Sequence, residues 1–114
     1  MHSDHFRAQG RRRVDLPAVL RHETAGWERI ARVVDLGLGG ACVELGETLE
    51  PSAVVTVQIV APTLWDPLVL HGSVAWTRLP AGRNPARAGV RFRHERTALL
   101  YALFELLGAH AYDA

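Results

Sequence analysis

The sequence predicts an all-β domain: a small antiparallel barrel of six short strands, covered by one C-terminal α-helix. Three observations lead to this fold class. Six segments are rich in β-branched residues or alternate between apolar and polar residues. Stretches with glycine or proline separate these segments about every ten residues, which is typical of small barrels. Near the end of the chain, one leucine- and alanine-rich stretch without glycine or proline predicts a helix that needs a surface to cover.

The first three strands are predicted at 16–22, 27–34 and 41–45. Pro17 lies at the start of the first strand, where a missing amide is tolerated. The second strand shows a period of two over eight residues, with Trp27, Arg29, Ala31 and Val33 on one side and Glu28, Ile30, Arg32 and Val34 on the other. Three glycines between residues 35 and 40 then mark a turn that needs close backbone approach, so the second and third strands form a hairpin.

The other three strands are predicted at 53–60, 68–77 and 87–93. The fourth is dense in β-branched residues and gives the clearest strand signal in the chain. In the fifth, Gly72 indicates a bulge or bend. The sixth alternates: the pattern directs Ala88, Val90 and Phe92 inward, and Arg91 and Arg93 outward.

The helix is predicted at about 95–108. Glu95 in the first turn suits the helix dipole, and Gly108 is expected at the stop position. One broad apolar face is formed by Leu99, Leu103, Leu106 and Leu107, and widened by Leu100 and Phe104. With 114 residues, the chain has room for one domain, placed at 14–110. Residues 1–13 lack apolar periodicity and are predicted to form a flexible, arginine-rich leader.

Composition excludes several classes of protein. Thirteen cations, all arginine, against twelve acids give a net charge of +1, too close to zero for a general nucleic-acid binder. Coding bias would give the same arginine count, so only the placement of the arginines is informative. The apolar runs are too short for a membrane span, and the polar start does not resemble a secretory signal. A single cysteine cannot form an internal disulfide, so we expect a cytoplasmic protein.

Enzyme signatures are missing from the sequence. It contains no GxSxG, P-loop or HExxH motif, and its six histidines do not have metal-ligand spacing. His71 is interpreted as a structural or edge histidine, and Cys42 as a small buried residue without a nearby base. We therefore expect no catalytic residues, no metal and no cofactor.

Two features remain as candidates for function. Arg7, Arg11, Arg12 and Arg13 lie close together, and the guanidinium fork can bind phosphate or the O6/N7 edge of guanine. The second feature is the turn that begins at Asp35. Taken singly, the cluster is typical of a solvated tail, and the turn of an ordinary hairpin with its aspartate bonded to the local backbone.

Together, these features resemble the PilZ domain, a bacterial receptor module for the second messenger cyclic di-GMP. The shared order is an arginine cluster, a Val-x-Leu-Pro strand start, a D/N-x-S-x-x-G turn and a terminal helix, over about residues 6–108. The stretch GSVAW at 72–76 is similar to the family's Gly-x-Val-x-Trp strand, and GVRF at 89–92 to its Gly-Val-x-Phe strand. The resemblance implies a six-stranded barrel with a C-terminal helix, as inferred above.

The resemblance also implies a binding site. If the strand start at Val14 sets the register, the family's R-x-x-x-R pair falls on Gln9 and Arg13, so one arginine is missing. A shifted register gives Arg7 and Arg11, which satisfy the spacing, and Arg12 could add another guanidinium. At the turn, the D, S and G positions hold Asp35, Gly37 and Gly40, so one hydroxyl is lost, at about 1 kcal/mol or roughly fivefold in affinity. Asp35 would accept hydrogen bonds from a guanine, and the glycines would let the backbone approach the ligand. Trp76 would either stack on a purine or lie in the core.

The implied function is a cyclic di-GMP receptor or adaptor that couples nucleotide binding, through ordering of its leader, to a partner protein. A PilZ-like domain that has lost the ligand and acts only through protein contacts is the alternative. Gln9, Gly37 and the apolar helix, which offers a dimer or partner surface, favour that alternative. A barrel that binds RNA or single-stranded DNA would need more basic charge and more aromatic residues between the arginines.

Overall fold

The computed structural model describes residues 11–94 and 96–109. These residues form six strands and one helix, as the sequence predicts. The elements are β1 (Arg12–His22), β2 (Glu28–Leu36), β3 (Gly40–Leu45), β4 (Val54–Ile59), β5 (Leu68–Arg78), β6 (Ala86–Phe92) and α1 (Thr97–Ala109). None of the helices in these ranges is long and apolar enough to cross a membrane.

The strands close into an antiparallel barrel in the order β1-β2-β3-β6-β5-β4, and β4 pairs back onto β1. β2 and β3 form the predicted hairpin, while β3 pairs with β6 across the longer connection. The glycine-rich turn after β2 is thereby placed beside the end of β6. This juxtaposition positions the candidate site.

The barrel interior is apolar because alternate residues of each strand point inward. Its largest fully buried strand residues are Leu20, Val33, Leu36, Val43, Val55, Val57, Ile59 and Leu70. No charged or polar residue is buried among the described ones. The predicted alternation of β6 is confirmed, since Val90 and Phe92 are buried while Arg91 and Arg93 are exposed.

Helix α1 covers the barrel next to β5 through Leu103, Leu106 and Leu107, which are all buried. Phe104, expected to widen the apolar face, is 62% exposed. Two predicted bounds were wrong. The helix begins at Thr97, with Glu95 outside the described residues, and it continues through Gly108 to Ala109. Burial of two leucines directly before the glycine explains this extension, because it holds the last turn against the barrel.

The start of β1 also corrects a prediction. β1 begins at Arg12, so Arg12 and Arg13 belong to a strand and not to the leader. The reason is that β2 continues to Leu36, and Arg12 pairs with Leu36 while Arg13 pairs with Asp35. The predicted bulge at Gly72 was likewise wrong, since the irregularity lies between Val74 and Trp76. Residues 1–10, with the rest of the predicted leader, lie outside the described residues.

Candidate ligand-binding cleft

The turn between β2 and β3 lies tightly against β6. The Gly37 amide donates to the Gly40 carbonyl at 2.9 Å, and the Phe92 amide donates to the Gly39 carbonyl at 2.9 Å. A Cβ at Gly40 would lie less than 3.0 Å from the Val90 carbonyl oxygen. Glycine at position 40 is therefore required by the close approach of β3 and β6, and the turn presents bare backbone to the outside.

Asp35 lies near the end of β2, where Arg11, the residue directly before β1, reaches it. The Arg11 Nε donates to the Asp35 Oδ1 at 3.1 Å, and the two side chains are 30% and 36% exposed. An ion pair this exposed contributes about 1 kcal/mol or less to stability. A ligand can therefore replace either partner at small cost in free energy. The Arg12 side chain donates to the Arg11 carbonyl at 2.9 Å and fixes the strand start.

A cleft of about 220 Å³ lies on the outer face of the barrel next to this pair. It extends over β3 and β6 to β5, so Arg11, directly before β1, and Trp76 of β5 border it from opposite sides. Its lining consists of Arg11, Gly39, Gly40, Ala41, Ala75, Trp76, Gly89, Val90 and Arg91. Three of the nine lining residues are glycines. Gly39 and Gly40 leave backbone uncovered between a cation and an aromatic ring, whereas Gly89 is buried.

Trp76 lies on the outer face, and its interpretation as a core residue is wrong. Strict alternation from the buried Val74 would direct position 76 inward, but the irregularity between Val74 and Trp76 shifts the indole outward. The ring is 45% exposed and lies across Gly89, its partner in β6. A Cβ at Gly89 would come within 3.0 Å of the indole Nε1, Cε2 and Cδ1 atoms.

The comparisons with known proteins agree with this geometry. The PilZ domain family matches residues 5–107. The chain belongs to the PilZ domain family. No curated protein matches it. Like its relatives of known structure, this PilZ domain is a barrel of antiparallel strands with a C-terminal helix.

Three solved structures show how widely this fold is shared. The PilZ domain of CeSA from a cellulose-synthesizing bacterium is 17% identical, with 87% of this chain and 95% of that chain covered and a TM-score of 0.67. The PilZ domain of YcgR from Escherichia coli, solved with c-di-GMP, is 14% identical, with coverages of 85% and 82% and a TM-score of 0.69. The inhibitor of motility MotI/DgrA from Bacillus subtilis is 13% identical, with a TM-score of 0.67, and 85% of this chain covers 47% of that protein. This PilZ domain thus spans about half the length of MotI/DgrA.

The structure brings three of the eight predicted site residues to one cleft, which is lined by Arg11, Gly40 and Trp76. Asp35 does not line the cleft but is bonded to Arg11, which does. Gly37 is buried within the turn, and Arg7 lies outside the described residues. Arg12 and Arg13 occupy the first rungs of β1 beside the end of β2 and do not line the cleft.

Sequence reasoning missed Gly89 and Arg91 as part of this site. Both follow from the GVRF stretch, whose outward positions are 89 and 91 once Val90 and Phe92 are placed in the core. The pattern assigns their face, but only the pairing of β6 with β3 and β5 brings them to the turn and to Trp76.

Cys42 lies on β3 opposite Asp35 and is 8% exposed. Burial is the main reason that the pKa of its thiol is raised, and the nearby Arg87 and Arg11 only partly oppose this. Arg87 itself is held by Glu44, to which its Nε and Nη2 donate at 2.9 Å and 2.7 Å. A protonated, covered thiol is a poor nucleophile, so Cys42 contributes packing beside the cleft rather than chemistry.

Among the described residues, no group of three histidine, cysteine or acidic side chains is arranged to hold a metal ion. His71, which sequence analysis treated as a structural or edge histidine, is half-buried with its Nδ1 at 3.1 Å from a Glu23 carboxylate oxygen. The chemistry of the cleft is therefore that of guanidinium, carboxylate, backbone and indole groups.

Proposed function

We propose that this PilZ domain is a receptor, not an enzyme, that binds cyclic di-GMP in the cleft bordered by Arg11, Asp35 and Trp76. The observation that carries the proposal is the placement of a guanidinium–carboxylate pair and an exposed indole around the uncovered backbone of Gly39 and Gly40. Cyclic di-GMP is also the ligand in the solved PilZ domain of YcgR, which has the same fold.

Each group has a counterpart in the ligand. A guanidinium fork matches a phosphate or the O6/N7 edge of guanine. A carboxylate accepts from the N–H groups on the other edge of guanine, a role that needs an acceptor without donors. An indole with 45% of its surface exposed offers a face for base stacking. The backbone at Gly39 and Gly40 has no side chain that would keep a purine away.

The same contacts favour one of the two arginine registers. Arg11 lines the cleft and holds Asp35, whereas Arg13 does not line it. This supports the register in which Arg7 and Arg11 form the R-x-x-x-R pair. In the proposal, the leader carrying Arg7 folds over the bound nucleotide, and its ordering changes the surface that a partner protein meets.

The leader can be tested by limited proteolysis with and without the nucleotide. Ligand-dependent protection of bonds before Arg11 is expected. Cleavage at an unchanged rate while the nucleotide is bound would contradict the coupling.

One observation favours the alternative, a PilZ-like domain that acts without the nucleotide. Arg11 and Asp35 are bonded to each other, so a ligand that binds both groups must first break this weak ion pair. Gly37 in place of serine removes a further hydroxyl. In that case the exposed Tyr101 and Phe104 of α1 would remain as a surface for a protein partner or a second copy.

Calorimetric titration with cyclic di-GMP separates these functions, with GMP and a short oligonucleotide as control ligands. We expect binding of cyclic di-GMP that weakens by roughly tenfold or more in Asp35→Ala and in Arg11→Ala, since each removes a charged hydrogen-bonding group. Arg83→Ala, a charge-matched change in the exposed β5–β6 loop, should bind like the wild type. No heat from a folded protein would support the alternative, and oligonucleotide binding with a steep salt dependence would support a nucleic-acid barrel.

A further inference from the structure

A second cleft, of about 300 Å³, adjoins the first on the outer face of the barrel. It is lined by Ser52, Ser73, Val74, Ala75 and Arg91. Ala75 and Arg91 line both clefts, so the two form one groove that passes over the irregular rung of β5. None of the R-x-x-x-R or D/N-x-S-x-x-G positions lines this second half, although Ser73 and Arg91 lie at variable positions of the GSVAW and GVRF stretches.

Three polar residues meet in the second cleft. Ser73 of β5 and Arg91 of β6 are direct partners in the antiparallel pairing. Ser73 precedes the buried Val74, and Arg91 follows the buried Val90. Their side chains therefore share the outer face, with Cβ atoms about 5 Å apart. Ser52 reaches the same place because its amide donates to the Val74 carbonyl at 2.7 Å.

Ser52 is held in an unusual conformation. Its φ of 70° makes it the one non-glycine residue with positive φ in the described part of the chain. Few L-residues adopt this region without a compensating contact. The short hydrogen bond to Val74 supplies such a contact, and it places the Ser52 side chain at the edge of the groove.

Arg91 differs from most of the arginines around the barrel, which are paired with an acidic side chain. Arg11, Arg21, Arg29, Arg32 and Arg87 each form an ion pair with an acidic side chain. Arg91 has no acidic partner among residues 11–94 and 96–109, and its side chain is exposed at the boundary between the two clefts. A guanidinium in this state keeps its donors available for an anion.

We propose that Arg91, Ser73 and Ser52 form a second subsite that binds a phosphodiester group of cyclic di-GMP. This inference rests on the proposed function, because it places the guanine of the same ligand in the first cleft, between Asp35 and Trp76. A guanidinium fork beside two hydroxyl groups is chemistry that suits a phosphate, which offers only acceptors. The ligand then spans both halves of the groove, and Arg91 binds it independently of the motif residues.

The test is calorimetric titration of cyclic di-GMP into the full chain, four variants of the subsite and one control variant. Arg91→Ala should weaken binding by roughly tenfold or more, as expected for loss of a charged hydrogen bond, and Arg91→Lys should fall between it and the wild type. Ser73→Ala should weaken binding by about threefold to fivefold, and Ser73→Asp by more than Ser73→Ala because its carboxylate repels the phosphate. Arg83→Ala is the charge-matched control and should bind like the wild type.

The failure of this inference is distinguishable from that of the proposed function. If the wild type and Asp35→Ala behave as proposed while the Arg91 and Ser73 variants bind like the wild type, the second subsite does not exist. If the wild type does not bind cyclic di-GMP, both proposals are wrong. The side chains of residues 73 and 91 face outward, so the melting temperatures of these variants should match that of the wild type; should Arg91→Ala unfold, Arg91→Lys and the two Ser73 variants decide the result.

Discussion

Replacing Gly89 with alanine tests how the wall of the cleft is built. The three atoms nearest to a Cβ at position 89 all belong to the Trp76 indole, and all would lie closer than 3.0 Å. The backbone of β6 is fixed between β3 and β5, so the ring must move rather than the strand. With 45% of its surface exposed, the ring can swing toward solvent, and it would then leave the cleft.

The cost follows from the contact that the ring loses. More than half of the Trp76 surface is buried, so a displaced ring gives up about 100 Å² of contact, given the ~150–250 Å² that an aromatic side chain buries. At about 25 cal/mol per Å², this amounts to about 2.5 kcal/mol if all of the contact is lost. Partial repacking lowers it, and we expect Gly89→Ala to reduce the free energy of unfolding by about 1–2.5 kcal/mol.

A double-mutant cycle, followed by urea denaturation, isolates this contact. In the Trp76→Ala background the indole is absent, so Gly89→Ala should cost less than about 0.5 kcal/mol. Gly46→Ala is the control, because a Cβ there would meet nothing within 4 Å. An equal cost of Gly89→Ala with and without the indole would refute the reasoning, since the strain would then come from the β6 backbone.

Three further predictions concern the helix, the thiol and the turn. Leu103→Ala should lower the free energy of unfolding, measured by urea denaturation, by about 2–4 kcal/mol, because this residue of α1 is fully buried against the barrel. The matched Phe104→Ala, at a residue 62% exposed, should cost under about 1 kcal/mol, and equal costs would contradict the assigned helix face. Because burial raises the pKa of the Cys42 thiol, the folded protein should react with a disulfide reagent at about pH 8 more slowly than glutathione does. In denaturant, the two reaction rates should become equal. Equal rates without denaturant would mean that the thiol of the folded protein is accessible. Gly37→Ser should tighten cyclic di-GMP binding by about fivefold, since Gly37 is not among the glycines with positive φ; unchanged affinity in a folded variant would show that a hydroxyl at this turn position does not reach the ligand.

Most of the fold was predictable because strand alternation is a local property. The six strands and the helix follow from residues adjacent in sequence. The errors lie at the ends of elements, where contacts with the rest of the barrel determine how far an element extends. β1 extends to Arg12 because β2 supplies partners as far as Leu36, a fact that the leader sequence does not contain. Gly108 stays helical because of the leucines buried against the barrel.

The site was predictable only in part, for the same physical reason. Motif spacing identified Asp35 and Gly40, whose turn is local. The outward direction of Trp76 depends on the irregular rung after Val74, which reverses the alternation that the rest of β5 obeys. The meeting of Arg91 with Ser73 and Ser52 depends on the register between β5 and β6 and on the chain before β4, which no local pattern in the sequence encodes.

Backbone amide NMR during addition of cyclic di-GMP tests the central claim most directly, because glycines mark both the cleft and the surface away from it. The proposal predicts large shift changes at Gly39, Gly40 and Gly89, which line the cleft, with little change at Gly26, Gly46 and Gly82. Changes centred on the second group, or no changes at saturating nucleotide, would contradict binding at the cleft.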